Sequence, residues 1–192
     1  MSIDYYQQHA PRFFDETVQV DMSGLHQRFF AYLPPDARLL DAGCGSGRDA
    51  LAFLTHGYAV EAFDASSEMA QRASALTGLS VKVLRFEDFH APARYDGIWC
   101  CASLLHVAEA ALPDIFARVA AALRPGGVWY FSFKQGHGER EKDGRRFTDL
   151  DETRLRKLVE ELAGVELKEV WLSEDKRVGR SEVWVNGLAV KD

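Results

Sequence analysis

The chain is poor in cysteine: three in 192 residues, Cys44, Cys100 and Cys101. The number is odd, two are adjacent, and no Cys-x-x-Cys pair occurs. This excludes a disulfide framework and a zinc site of the usual spacing, and no metal site is expected. A reducing, cytoplasmic setting is the simplest expectation. Long apolar runs are also missing. None approaches the roughly 20 residues of a membrane span, and the first ten residues are too polar for a secretory signal. Positive charge is the scarcer sign: 23 Lys and Arg against 29 Asp and Glu, a net charge of -6. A chain so balanced lacks the overall basic field of a non-specific nucleic-acid binder. Neither nucleic acid nor membrane is therefore expected as a partner. There is no internal repeat and no low-complexity tract.

What is present is ordinary for a globular protein: 47% hydrophobic and 27% charged residues. The length suits one domain over residues 1–192, with an N-terminal helical segment (1–35) ahead of an α/β core (36–192). In the first part, Phe13, Phe14, Val18, Leu25, Phe29, Phe30 and Leu33 recur at helical spacing until Pro34-Pro35 stops them. A regular alternation follows. Strands are predicted at 38–42, 58–63, 81–86, 97–101 and 128–133, with helices at 48–56, 66–76 and 112–123 between them. Such alternation implies βαβ units and a parallel sheet. A polar loop is expected over 134–146, then a helix opened by Thr148 or Asp149 and running to about Leu162. Two last strand-like runs, 167–172 and 182–188, are joined by a linker short enough for an antiparallel hairpin. The fold expected is thus a doubly wound α/β sheet, mostly parallel, with an antiparallel end.

The strongest local signal is Leu39-Leu40-Asp41-Ala42-Gly43-Cys44-Gly45-Ser46-Gly47-Arg48-Asp49. Glycines at alternate positions follow a buried strand and open a helix. Glycine permits positive φ and close approach of backbone to a ligand, and the helix start favours an anionic group. In open α/β sheets ligands lie at the carboxyl ends of strands, which is where this turn falls. A dinucleotide turn calls for GxGxxG; here the pattern is GxGxG and Arg48 takes the place of the third glycine, which argues against NAD. The second strand ends at Asp64, about twenty residues on, where a carboxylate suits a ribose diol. The third ends at Phe86-Glu87-Asp88-Phe89, where Asp88 is placed to accept from an adenine amino group.

Taken together, LLDAGCGSGRD, AFDASSEM, RFEDF, YDGIWCCASLLHV and LRPGG resemble the ordered motif series of class I S-adenosylmethionine-dependent methyltransferases. The resemblance covers about residues 38–133. It implies a seven-stranded Rossmann-like methyltransferase fold and S-adenosylmethionine as cofactor, with S-adenosylhomocysteine as product. It implies that loop 43–47 holds the methionine end, Asp64 the ribose, and Asp88 the adenine region. The cofactor-binding set so implied is Asp41, Gly43, Cys44, Gly45, Gly47, Asp64, Ala65, Met69, Glu87, Asp88, Phe89 and Cys101. The chain is most similar to small-molecule methyltransferases of the tellurite-resistance and ubiquinone-biosynthesis sort. CCAS stands where amino-methylating DNA enzymes carry Asn/Asp-Pro-Pro-aromatic, which argues against base methylation.

Methyl transfer from a sulfonium is an in-line displacement, so proximity and orientation supply most of the catalysis. A general base is needed only where the acceptor must lose a proton. His106, after the fourth strand, is the candidate base; its other reading is a packed histidine that shapes the pocket. Tyr5 and Tyr6 precede the core in a segment able to fold over the pocket. Lys134, Arg140, Arg145 and Arg146 flank a glycine-containing loop at the ligand edge and are candidates for an anionic acceptor. The cysteines read as small packing residues. The function expected is methylation of a small molecule by a monomer or homodimer. The alternatives are a non-catalytic cofactor-binding module, a protein or RNA methyltransferase, and a nicotinamide oxidoreductase.

Overall fold

The structure is a computed structural model that describes residues 2–177 and 179–192. Val178, within the linker predicted between the last two strands, lies outside the described residues. Seven strands form one sheet in the order β3-β2-β1-β4-β5-β9-β8. β1 (Arg38–Ala42), β2 (Ala59–Asp64), β3 (Lys82–Val83), β4 (Tyr95–Cys100) and β5 (Leu123–Lys134) run parallel. β9 (Val183–Lys191) inserts antiparallel beside β5 and pairs with β8 (Val165–Glu174) at the edge. This is the mixed sheet that the sequence implies.

Successive residues of a strand face opposite sides, and here both sides are apolar, as a sheet covered by helices requires. On one side Ile98, Cys100, Trp129 and Phe131 meet Phe116 and Val119 of helix α5 (Leu112–Ala122) and Leu155 of α6 (Glu152–Glu160). On the other, Leu39, Trp99, Tyr130 and Leu188 pack with Phe53 of α3 (Arg48–Thr55) and Phe29 of α2 (Ser23–Phe30). Trp99 stacks on Tyr130 with ring centroids 3.8 Å apart. The helix between β2 and β3, α4 (Ser67–Thr77), begins at Ser66, whose hydroxyl accepts from the Met69 amide, and ends at Gly78 in the left-handed conformation.

Four expectations change. The helical N-terminal part is two helices, α1 (Ser2–Thr17) and α2, with residues 18–22 between them. α1 is kinked at His9, two residues before Pro11, which has no amide hydrogen to donate. The third strand shortens to Lys82–Val83. Beyond it Phe86 and Phe89 turn inward onto Phe63, at 5.3 and 5.4 Å, and draw the chain off the sheet edge. The polar loop is largely a hairpin of its own, β6 (Gly138–Lys142) with β7 (Arg145–Asp149). Its turn, Asp143-Gly144, has positive φ at both residues, +53° and +72°, which matches the twist of a tight hairpin. Thr148 and Asp149 therefore belong to β7, and α6 starts only at Glu152, capped by Asp151, which accepts from the Arg154 amide at 2.7 Å.

Candidate active site

At the carboxyl ends of β1, β2 and β4 lies a cleft of about 570 Å³, within the usual range for small ligands. Its floor is the glycine loop. Gly43 has φ +74°, and a Cβ there would stand 2.5 Å from the Cβ of Ser103, so only glycine lets the end of β1 pass the turn after β4. The amides of Gly43 and Cys44 both donate to the Phe63 carbonyl at 2.9 Å, and that of Gly45 donates to Asp64 Oδ2 at 2.9 Å. The loop is thereby tied to the end of β2. Asp64 also accepts from the Ser66 amide at 2.8 Å. Burial raises its pKa, opposed by these amide bonds. Backbone amides do not fill all of its roughly four lone-pair sites, which leaves room for a hydroxyl donor.

Two further carboxyl groups sit beneath the loop. Asp41 is buried and accepts from the Ala50 amide at 3.0 Å. Burial and the neighbouring Asp49 carboxylate push its pKa well up. Burial also disfavours charge on Asp49, but Arg48 and His26 outweigh it and hold this carboxyl far below the usual range. Asp49 receives Arg48 Nε at 2.9 Å and Nη2 at 2.8 Å, His26 Nε2 at 2.9 Å and Trp99 Nε1 at 2.9 Å. The sequence singled out Asp49 only as part of a motif. Its spacing carries no sign that His26, from α2, is a partner.

α1 forms the roof, packing against α4 and β7. Gln7 Oε1 accepts from the Ser66 hydroxyl at 2.5 Å and the Glu68 amide at 3.0 Å, and its Nε2 donates to Ser67 Oγ at 2.8 Å. Across the cleft, the Ser2 hydroxyl bonds the backbone of Arg146 as donor (3.3 Å) and as acceptor (3.0 Å). His106 stands beneath. Its Nδ1 is 2.8 Å from the Arg146 carbonyl and its Nε2 2.8 Å from Tyr6 Oη. A carbonyl only accepts, so Nδ1 carries the hydrogen and Nε2 accepts from the Tyr6 hydroxyl. Burial pushes the His106 pKa down to about 4, with Arg145 and Lys134 adding to the effect against the Arg146 hydrogen bond.

Of the residues expected at the site, Asp41, Gly43, Cys44, Gly45, Asp64, Ala65, Met69, Glu87, Cys101, Tyr6, His106, Lys134, Arg145 and Arg146 line this one cleft. Gly47 stands behind it, where a Cβ would meet Ala73 at 2.9 Å. Asp88 is exposed outside the lining, and the preceding Glu87 takes the rim position instead. Phe89 is turned into the core. Tyr5 lies outside the lining, stacked on His9 at 4.4 Å and under Arg145 at 4.2 Å. Cys101, whose thiol is pushed up to about 12 by burial, stays protonated. The sequence reading missed Ser103, Arg177, Trp184 and Asn186, which also line the cleft. Three of these come from the region of the last two strands, which no motif links to a ligand.

A group with a ribose, a polar head and a positive centre fits these residues. Asp64 has spare acceptor capacity, and Glu87 lies at the same end. The buried Ser103 Oγ has no partner among the described residues, and glycine at 43 leaves the space beside it clear. A family model described as a methyltransferase domain matches residues 14–167, and the chain belongs to that family. It is an S-adenosylmethionine-dependent methyltransferase. The solved structure of 1,6-didemethyltoxoflavin-N1-methyltransferase from Burkholderia thailandensis, with 1,6-didemethyltoxoflavin and S-adenosylhomocysteine bound, is similar at 25% identity. The TM-score is 0.78, over 98% of this chain and 84% of that one. The fold is also shared with magnesium protoporphyrin IX methyltransferase from Synechocystis PCC 6803 (16% identity, TM-score 0.74, 98% and 97% covered). It is shared again with a TehB-like methyltransferase from Corynebacterium glutamicum (20%, 0.73, 99% and 98%). No curated protein matches the chain. Among the described residues no helix is long and apolar enough to cross a membrane, and no cluster is suited to a metal ion.

Proposed function

We propose that the enzyme methylates a small molecule, held between the roof helix α1 and the β6–β7 hairpin. The observation that carries this is the partial cover over the cleft. The cleft running from the glycine loop to Tyr6, His106 and Arg145 is spanned by α1, tied by Gln7 on one bank and Ser2 on the other. A folded protein or a duplex has no broad face to lay against it. In this reading residues 1–35 act as a lid on the core, and the enzyme solved with bound 1,6-didemethyltoxoflavin is a relative of matching kind.

The cofactor supplies an electrophilic methyl group. The residues of this chain do the rest. Gly43, Gly45 and Asp64 would hold and orient its ribose and amino-acid portions, Glu87 would border its base, and α1 would exclude water. Tyr6 and His106 bound the place of the acceptor. His106 is neutral, with both nitrogens engaged, so in this arrangement it orients Tyr6 rather than standing as a free base.

Calorimetric titration with S-adenosylmethionine, S-adenosylhomocysteine and NADH tests the reading at its base. The first two should bind the native chain, and Asp64→Ala should weaken both at least about tenfold, the loss of a pair of charge-assisted hydrogen bonds. Tighter binding of NADH would return the dinucleotide alternative. Formation of S-adenosylhomocysteine only on adding a low-molecular-mass extract supports the small-molecule acceptor over a non-catalytic module.

A further inference from the structure

We infer that the acceptor is a planar molecule bound as an anion, ionised before transfer, with Arg145 as its counter-charge. This rests on the small-molecule reading above and specifies the chemistry of that acceptor.

Three observations converge. First, the cations near the acceptor end differ in their commitments. Lys134 is paired with Glu182, and Arg177 is tied to Asp175 and Glu182. Arg145 lines the cleft and donates to the Tyr6 hydroxyl, and among the described residues its one ion pair is with Asp143 at 3.5 Å, on the exposed turn. Its Nε is buried without a hydrogen-bond partner. A buried guanidinium donor with nothing to donate to is costly unless a ligand acceptor completes it.

Second, the surroundings are aromatic. Arg145 stands over the rings of Tyr5 (4.2 Å) and Phe147 (5.2 Å), which limit the freedom of its guanidinium. Tyr6, His106 and Trp184 add further ring walls to the cleft. A delocalised anion is the partner that both stacks on such walls and meets a planar fork of donors.

Third, among the described residues no buried group at the acceptor end stands ready to take a proton. The His106 lone pair is occupied by the Tyr6 hydroxyl, and its Nδ1 hydrogen by the Arg146 carbonyl. Protonation of His106 is opposed by burial and by Arg145 and Lys134. The inner carboxylates Asp175 and Glu182 are held by Arg177 and Lys134, while Asp4 and Glu174 are exposed at the rim. Burial disfavours any charge here, but Arg145 and Lys134, which add to it against a cationic imidazole, favour an anion in the same place. An ionised acceptor needs no base: its lone pair forms the bond to the methyl carbon as the carbon–sulfur bond breaks, and that bond's electron pair stays on sulfur. One negative and one positive charge cancel, and no proton leaves.

The test is calorimetry on the full chain saturated with S-adenosylhomocysteine, using matched planar pairs: indole-3-carboxylate against indole-3-carboxamide, and 4-nitrophenolate against 4-nitroanisole. The anion of each pair should bind at least about tenfold tighter. Arg145→Gln should erase that preference, and Arg145→Lys should restore part of it. S-adenosylhomocysteine affinity, measured separately, should stay within about twofold in both variants, which shows that the cleft has not collapsed. Equal or tighter binding of the neutral members overturns the anionic acceptor and leaves the small-molecule reading standing. Transfer of a labelled methyl group to the protein or RNA fraction of an extract, with none in the low-mass fraction, overturns the small-molecule reading itself.

Discussion

His106 shows how a single side chain reports its surroundings. Its pKa falls from 6.5 to about 4 because the folded protein buries it beside cations. Between those values the unfolded chain takes up a proton that the folded chain refuses. The stability that His106 contributes is thus fully present above its unfolded pKa and is lost as pH falls toward 4. A shift of this size corresponds to roughly 3 kcal/mol. His106→Gln should flatten the dependence: urea midpoints of the native chain should drop steeply between about pH 7 and about pH 4.5, and those of the variant much less. Gly43 makes the same point through space rather than charge. Gly43→Ala combines a left-handed backbone, costing about 1–2 kcal/mol, with overlap on Ser103. Reduced thermal stability and at least tenfold weaker S-adenosylmethionine binding, about 1.4 kcal/mol, are expected in the same melts and titrations. An alanine variant with native affinity would mean that the loop can move away.

At the scale of elements, Asp49 is the joint. One carboxylate at the start of α3 accepts from His26 of α2, Trp99 of β4 and Arg48 beside it. Asp49→Ala would orphan these buried donors and should cost about 3–5 kcal/mol, with α2 released first. Limited proteolysis near residues 18–22 should then accelerate. Unchanged cleavage would show that apolar packing of Phe29 and Phe30 suffices to hold α2. The elements also differ in how visible they were. β1, β2, α4 and the antiparallel tail follow from apolar runs and from caps such as Ser66 and Gly78. The β6–β7 hairpin did not, because Gly138–Lys142 is polar and mostly exposed and so carries no hydrophobic alternation. Asp143-Gly144 was its one local signal.

Across the whole molecule, stability and access are placed in different parts. The buried mass lies in the sheet: Trp99, Trp129, Tyr130, Phe131 and Phe133 are fully enclosed. α1 contributes little to it, with only Ser2, Ala10 and Thr17 buried, and its hold on the rest runs largely through polar contacts at Ser2, Tyr6 and Gln7. α1 is therefore expected to open at far lower cost than the sheet. Amide exchange should be fast in α1 and slow in β1, β4 and β5, and S-adenosylhomocysteine should slow α1 most. Equal protection of α1 and β4 in the absence of ligand would contradict a separable roof.

The parallel sheet, its antiparallel end, the glycine loop and the acid at the end of β2 were all determined by the sequence itself. Each depends on residues that are neighbours in the chain or recur at a strand or helix period. The tertiary structure alone decided the site's electrostatics. His106 meets Tyr6 and the Arg146 carbonyl across separations of 100 and 40 residues, and Asp49 meets His26 across 23. Which side chain is charged, which is neutral and which is left without a partner depends on burial and distance. Those are properties of the assembled fold, and no local pattern encodes them.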